Sequence, residues 1–314
     1  MSLVIERPGI LSTIQDGGRM GFFSLGINPN GAMDRTAMRL ANTLVGNDAG
    51  EAVIEMHFPA PKIVFEQPCS FSIAGADFGA CLNDQPMANW SSNPARTGDV
   101  LCFHEPRYGT RAYLALAGGL EIPYWLGSKS TNLAVSAGGF EGRKLTAGDR
   151  IDLARPRVLS GLTIGPSLIP KYSRFPTVRV IPGGEFELLS AVSERTFLNE
   201  GFRVTSNSDR MGSRLDGEPL FLLHDKPMVS APVTFGTIQL LPDGQLVILL
   251  ADHQTSGGYP RIGTVISADL PLLAQLGPGD GVGFHLCSVE ESIRLTERFE
   301  RELCFLRSGV KLSR

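Results

Sequence analysis

The sequence predicts a mainly β protein built from two β-rich halves. Glycine (36) and proline (21) are frequent, and they punctuate many short apolar runs rich in Val, Ile, Phe and Leu. Such punctuated runs are the mark of strands joined by tight turns. A Gly-Asp turn that feeds a strand recurs three times, at Gly98-Asp99, Gly148-Asp149 and Gly279-Asp280. Two copies close the first half and one closes the second, which hints at two related β units, although turn chemistry by itself accounts for each copy.

The clearest strands are Lys62–Glu66, Phe71–Ala74, Val100–His104, Arg111–Ala117, Arg150–Leu153, Val178–Ile181, Thr237–Leu241, Leu246–Leu250 and Gly263–Ser267. Pro242-Asp243-Gly244 makes a hairpin turn between two of them, because glycine tolerates positive φ there. Helices are few. Asp34 is placed to cap one whose apolar positions Ala37, Leu40, Ala41 and Leu44 share a face, with Gly46 at its end. Ser288 and Glu291 form a capping-box pattern ahead of a longer helix lined by Leu295, Phe299, Leu303 and Leu306. A weaker helix is expected over Phe186–Leu198. Thr163–Thr177, with Pro166, Pro170 and Pro176, reads as the connection, which divides the chain into domains 1–168 and 169–314.

The 29 basic and 32 acidic side chains are mixed in order, for a formal charge of −3. No basic block is available for a nucleic acid or a membrane surface. The five cysteines are odd in number and scattered, with neither CxxC nor His/Cys ligand spacing, so no metal site is expected and the thiols read as reduced. Glu6 and Pro8 interrupt any signal-like apolar core, no apolar run is long enough to span a bilayer, and a cytoplasmic location is expected.

GxxxxGK[ST] and HExxH do not occur. Ala137-x-Gly139-x-x-Gly142 approximates a dinucleotide fingerprint but runs on to a strand rather than opening a helix. Ala134-x-Ser136-x-Gly138 resembles a nucleophile elbow but follows a polar loop.

Three Gly-rich segments concentrate polar side chains. The first is Gln15-Asp16-Gly17-Gly18-Arg19, continued by Asn28, Asn30, Gly31 and Asp34. The second is Ser206 to Arg214, and the third is Asp252-His253-Gln254-Thr255-Ser256-Gly257-Gly258-Tyr259-Pro260-Arg261. Glycine lets backbone amides approach a ligand, and arginine forks suit carboxylate or phosphate. Turns favour the same residue types, so Asp16 and Asp34 also fit as caps, with Arg19 or Arg210 as their partners. Asn42 and Asn47 read as structural. Glu55, in the apolar run Val53–Met56, needs a partner, for which Arg19 or Arg39 is available.

These clusters carry a family resemblance. The stretch Thr13–Glu55, RAYLALAGGLEIPYWLGSKST (Arg111–Thr131), GGFEGRKLTAGDRI (Gly138–Ile151), SNSDRMGSRLDG (Ser206–Gly217) and DHQTSGGYPRIGTVISAD (Asp252–Asp269) resemble the allophanate hydrolase subunit 2, or biotin-dependent carboxyltransferase-like, family over nearly the whole chain. The resemblance implies two cyclophilin-like β-barrel domains with a few helices. It also implies a role like that of the family's C-type 5-oxoprolinase members: opening 5-oxo-L-proline to L-glutamate with ATP hydrolysis. That role requires two partners, an A-type 5-oxoprolinase subunit plus a B-type one (allophanate hydrolase subunit 1-like), and the chain is inactive alone. ATP is then shared with those partners. The same scaffold serves two alternatives, a urea carboxylase-like carboxyltransferase using biotin carried on another chain, and a KipA-type regulatory antagonist of a kinase inhibitor.

Carried onto this chain, the implied pocket residues are Gln15, Asp16, Arg19, Asn207, Arg210, Gln254, Thr255, Tyr259 and Arg261. Residue chemistry assigns the roles: Arg210 and Arg261 to anionic oxygens, Asp16 or Asp252 to a proton or hydrogen bond. Where similar sequences often read Asp-Ala-Gln-Thr-Thr-Gly-Gly-Tyr-Pro, His253 and Ser256 stand here instead of alanine and the second threonine.

Overall fold

The computed structural model describes residues 2–159, 161–224 and 228–312. The chain is mainly β, with four α-helices among the described residues. It divides into two compact units, and neither is one continuous segment. The first comprises Met1–Arg19, Asn30–Pro170 and Glu300–Arg314, and the second comprises Met20–Pro29 and Lys171–Phe299.

In the first unit the described strands form two sheets. The six-stranded sheet runs in the order Arg150–Asp152, Ser2–Arg7, Lys62–Phe65, Val100–Phe103, Ala80–Leu82 and Gln85–Pro86. The five-stranded sheet runs Ser12–Gln15, Val53–Met56, Tyr108–Leu116, Cys69–Asp77 and Ser92–Ala95. One core joins them: Leu3, Ile5, Phe65 and Leu101 from the first sheet meet Ile14, Ile54, Phe71 and Leu114 from the second. The five-stranded sheet is covered on its other face by helix α1 (Arg35–Leu44), which packs on Tyr108–Leu116 and Cys69–Asp77. Ser12–Gln15, Val53–Met56 and nearly all of Cys69–Asp77 are buried continuously rather than in alternation, as expected for strands covered on both faces. Asp34 caps α1 by accepting from the Ala37 amide at 2.8 Å, and Gly46 follows it at φ +66°.

In the second unit the described strands close into a barrel of seven. Its order is Thr177–Pro182, Arg261–Val265, Thr237–Leu240, Leu246–Leu249, Gly212–Asp216, Phe202–Val204 and Gly281–Leu286. A parallel pairing of Gly281–Leu286 with Thr177–Pro182 seals it. Phe197 stacks on Phe284 in its core, with ring centroids 4.5 Å apart. A short ribbon, Ala231–Pro232 with Ser256–Gly257, stands beside the barrel.

The expected helix over Phe186–Leu198 is two pieces, a 3-10 turn Phe186–Leu188 and α2 (Ala191–Asn199). The break falls at Ser190, which caps α2 through the Ser193 amide at 3.1 Å. Helix α3 (Leu270–Ala274) follows, and α4 (Val289–Leu312) ends the described chain, with Leu303 and Val310 buried along its apolar line. None of these helices is long and apolar enough to cross a membrane.

All three Gly-Asp turns have one construction. Gly98, Gly148 and Gly279 have φ of +87°, +88° and +89°. The following Asp99, Asp149 and Asp280 each accept from the amide three residues back, at 2.7, 2.7 and 2.9 Å. Turn chemistry accounts for each of them.

Candidate functional site

The Gln15–Arg19 segment belongs to the first unit and is built as a structural knot. Asp16 Oδ1 accepts from the Gly18 amide and from the hydroxyls of Ser128 and Ser130, and Oδ2 accepts from the Lys129 amide. A carboxylate engaged by four donors fastens the loop 125–131 and leaves little capacity for moving a substrate proton. Arg19 is fully buried. It donates to the carbonyls of Trp125 and Ser130 and to Asn30 Oδ1, and stacks 4.1 Å over the Trp125 ring. Gln15 Nε2 donates to Thr13 Oγ1 and the Thr131 carbonyl. The backbone permits this closeness only where Cβ is missing: a Cβ on Gly31, at φ +97°, would lie 2.9 Å from the Gly18 backbone.

Glu55, for which Arg19 or Arg39 is the expected partner, accepts from the Met33 amide at 2.8 Å. Arg39 forks onto Glu300 at 2.6 and 2.7 Å. Tyr113, opposite Glu55 in the sheet, meets the Asp34 amide through its hydroxyl at 2.7 Å. Burial holds its phenol well above the ordinary tyrosine value, and the nearby Glu55 and Asp34 charges act in the same direction. Asn42 and Asn47 are structural as read: Asn42 Nδ2 donates to the Glu51 carbonyl, and Asn47 Nδ2 to the Leu116 carbonyl.

The second and third clusters both lie in the second unit, where they meet. Arg210 Nε and Nη2 fork onto Asp252 at 2.9 and 3.1 Å, and the Asp252 amide donates to the Arg210 carbonyl at 2.9 Å. Both side chains are largely buried. The adjoining turn is held by Asp209, which accepts from the Met211 and Gly212 amides, while Asn207 is exposed at its tip. Asn28, from the first cluster's continuation, clamps the third cluster by donating to the carbonyls of Asp252 and His253 at 2.9 and 3.0 Å. His253 is buried, bonded through Nδ1 to the Gln254 carbonyl, with its ring 5.7 Å from that of Phe23.

Beyond His253 the loop turns across the barrel strands. Gln254 Nε2 reaches Gln239 Oε1 at 3.5 Å, and Gln239 is the register partner of Arg261. A Cβ on Gly257 would sit 2.3 Å from Gln239 Nε2, so glycine is what lets the loop lie over the buried glutamine. Thr255 is half-buried and its carbonyl accepts from the Val233 amide. Arg261 Nε and Nη2 fork onto Glu185 at 3.0 and 2.9 Å, and its backbone amide donates to the same carboxylate at 2.8 Å. That set of donors, led by the side-chain fork, holds the Glu185 carboxyl below its ordinary value of 4.5 and lifts the Arg261 guanidinium. Arg261 Nη1 makes no hydrogen bond among the described residues, and the side chain is 33% exposed. Tyr259 is exposed and borders a cleft of about 500 Å³ walled by Leu220, Leu222, Leu240 and Pro260 among others.

Both arginines assigned to anionic oxygens are thus already matched to carboxylates. Glu185 escaped the sequence reading because it lies 76 residues before Arg261, in a Gly-Gly-Glu turn indistinguishable from ordinary loop. Gln239 sits in an apolar strand, and a polar residue in such a run was the available signal.

The fold and these loops together define a class. The carboxyltransferase domain, subdomain A and B, family matches residues 25–286, and the chain belongs to it. Among its relatives is the 5-oxoprolinase C subunit of Escherichia coli, 37% identical over 299 residues that span 95% of this chain and 96% of that protein. The corresponding 5-oxoprolinase C subunit of Haemophilus influenzae is also 37% identical, over 92% of each chain. Urea amidolyase of Saccharomyces cerevisiae is 31% identical over the whole of this chain but only 18% of its own length. Among solved structures, Kluyveromyces lactis urea amidolyase superposes with a TM-score of 0.91 over 97% of this chain and 20% of that one, at 28% identity.

Proposed function

We propose that this chain is a C-type subunit of an ATP-dependent 5-oxoprolinase, opening 5-oxo-L-proline to L-glutamate together with B- and A-type subunits. The observation that carries the reading is the end-to-end similarity to the E. coli protein, 95% of one chain against 96% of the other. The urea amidolyases match through a fifth or less of their length.

The residues present fit a small anionic substrate better than a triphosphate. Each candidate arginine carries a carboxylate partner, so each pair is neutral as a unit, and several phosphate charges would meet little net positive field. We therefore assign ATP to the partner subunits and substrate contact to this chain. In this reading Arg261, preoriented by Glu185, offers Nη1 to the substrate carboxylate. Gln254, Thr255 and Tyr259 supply further donors, and the cleft beside Tyr259 receives the ring methylenes. Arg210 and Asp252 set the loop's position, while Gln15, Asp16 and Arg19 hold the first unit's frame. Ring opening needs an activated lactam, because an amide carbonyl is a poor electrophile. Fixed donors around the carboxylate keep that carbonyl in register for activation.

The second reading, a biotin-dependent carboxyltransferase acting on a urea-like amide, draws on the 0.91 TM-score to urea amidolyase. The two are separated by reconstitution. The purified chain is mixed with its cognate B- and A-type partners, ADP and glutamate are followed, and each component is left out in turn. Glutamate formation that requires this chain supports the proposal. Full activity from the two partners without it would remove the enzymatic assignment and leave a regulatory role. Carboxyl transfer from a biotinylated carrier in place of glutamate formation would select the second reading.

A further inference from the structure

We infer that Cys81, Cys102 and His104, with Asp84 beside them, form a binding site for a soft divalent cation of the zinc type on the outer face of the six-stranded sheet. The site shares no residue with the loops assigned above and does not depend on the proposed activity.

The placement follows from strand periodicity. In Val100–Phe103 and its continuation, Leu101 and Phe103 point into the core, so Cys102 and His104 share the opposite face. Cys81 lies on the neighbouring antiparallel strand between Ala80 and Leu82, both packed against that core, and it is the direct register partner of Cys102. Register partners present their side chains on one face. Two sulfurs and an imidazole therefore converge without any compact sequence motif. Cys81 and Cys102 stand 21 residues apart, which is why spacing alone predicted no metal site.

The distances suit a metal. His104 Nε2 lies 2.9 Å from Cys81 Sγ and 4.0 Å from Cys102 Sγ. One ligand atom from each of Cys81, Asp84, Cys102 and His104 falls within 4.8 Å of all the others. Tetrahedral zinc, with bonds of ~2.3 Å to sulfur and ~2.0 Å to nitrogen, sets neighbouring sulfur and nitrogen ligands ~3.5 Å apart. The two observed separations bracket that value, so small side-chain rotations bring both thiols and the imidazole to bonding distance.

Asp84 is held for the fourth position. Asn83 and Asp84 form the turn after Ala80–Leu82, at φ +50° and +61°. Asn83 ties that turn to the strand bearing Cys102: its Nδ2 donates to Asp99 at 2.7 Å, and its Oδ1 accepts from the Val100 amide at 2.8 Å. Two thiolates, one imidazole and one carboxylate select zinc over magnesium or calcium, which prefer all-oxygen sets. Cys81 is buried, whereas Asp84 and His104 are exposed, which gives the ion a path in from solvent.

The test uses the full chain, reduced and freed of metal by chelator, and titrated anaerobically with Co²⁺ as a spectroscopic probe and then with Zn²⁺. One equivalent of Co²⁺ is expected to produce thiolate-to-cobalt charge-transfer bands with intense tetrahedral visible bands, and one equivalent of Zn²⁺ to bleach them. C81S and C102S should each diminish the charge-transfer bands, and H104A should weaken Co²⁺ affinity at least about tenfold, with far-UV circular dichroism unchanged. The wild-type titration decides the matter even if a variant misfolds. No charge-transfer band, or the same band in a C81S/C102S double variant, would overturn the site. So would a thiol count showing that Cys81 and Cys102 form a disulfide in the chain as purified.

Discussion

The guanidinium of Arg261 is divided between a carboxylate and solvent, since Nε and Nη2 are spent on Glu185 while Nη1 remains on a side chain one-third exposed. If Nη1 binds the substrate carboxylate, Arg261→Ala should lower turnover of the reconstituted complex at least tenfold, because one charge-assisted donor in a closed site is worth about 2–4 kcal/mol. Normal folding and complex formation with unchanged turnover would make Arg261 purely structural. The same pair has a pH signature. Glu185 is held below its ordinary value of 4.5 by Arg261, so it contributes stability that is present above that value and is lost as pH falls through the lower folded-state value. Melting temperatures of the wild type and Glu185→Gln should therefore differ most at neutral pH and converge at the acid end of a titration. A gap that is independent of pH would show that the carboxylate charge is not what matters. Arg210 presents the buried version of this arrangement. Arg210→Ala takes the guanidinium fork away from Asp252, whose side chain is 15% exposed, and should cost about 3–5 kcal/mol in denaturant unfolding. Arg210→Ala/Asp252→Asn should recover part of that loss.

Residue chemistry alone offers these positions as candidates but does not disclose their partners. Asp16 and Arg19 carry the side chains of a catalytic pair, yet their bonds run to Ser130 and Trp125, 114 and 106 residues away, and nothing local in the sequence announces those contacts. Turn-forming and substrate-binding residues draw on the same short list, so only the fold separates a knot from a site.

Elements were far more legible, because their signals are local. Each of the nine strands expected from apolar runs overlaps an observed strand, from Lys62–Phe65 to Arg261–Val265. Ser92–Ala95, which carries Pro94, was hidden: proline and two polar residues remove the apolar signal, and the strand exists through pairing with Cys69–Asp77. The helical break at Ser190 was hidden as well, since apolar periodicity runs on through a residue that the backbone uses as a cap. Glycines in the polar loops give a quantitative test at this scale. Gly138 has φ +66°, and a Cβ there would lie 2.2 Å from the Ser130 carbonyl oxygen and 2.9 Å from Arg19 Nη2. Gly148 has φ +88° with open space around it. Gly148→Ala should cost only the left-handed penalty, about 1–2 kcal/mol. Gly138→Ala should cost clearly more, because it also pushes apart the loop that Asp16 and Arg19 fasten. Equal denaturation midpoints for the two variants would show that the knot yields without resistance.

At the scale of the whole molecule, ATP is the sharpest question. The chain bears a formal charge of −3, and no glycine-rich phosphate loop with its lysine occurs. The two best-placed arginines are already neutralised by Asp252 and Glu185. A triphosphate approaching either pair would have to displace a carboxylate held by two or three hydrogen bonds, with little net attraction in return. The isolated chain should therefore bind Mg·ATP no more tightly than about 1 mM, which corresponds to roughly −4 kcal/mol, and should release no ADP. Titration calorimetry at physiological salt measures the first and a coupled ADP assay the second. Adding the B-type and A-type partners should bring both binding and hydrolysis, with hydrolysis dependent on 5-oxoproline. Binding tighter than about 0.1 mM by this chain alone, abolished by Arg210→Ala or Arg261→Ala, would instead mean that these ion pairs open to take phosphate, and the division of labour within the complex would have to be redrawn.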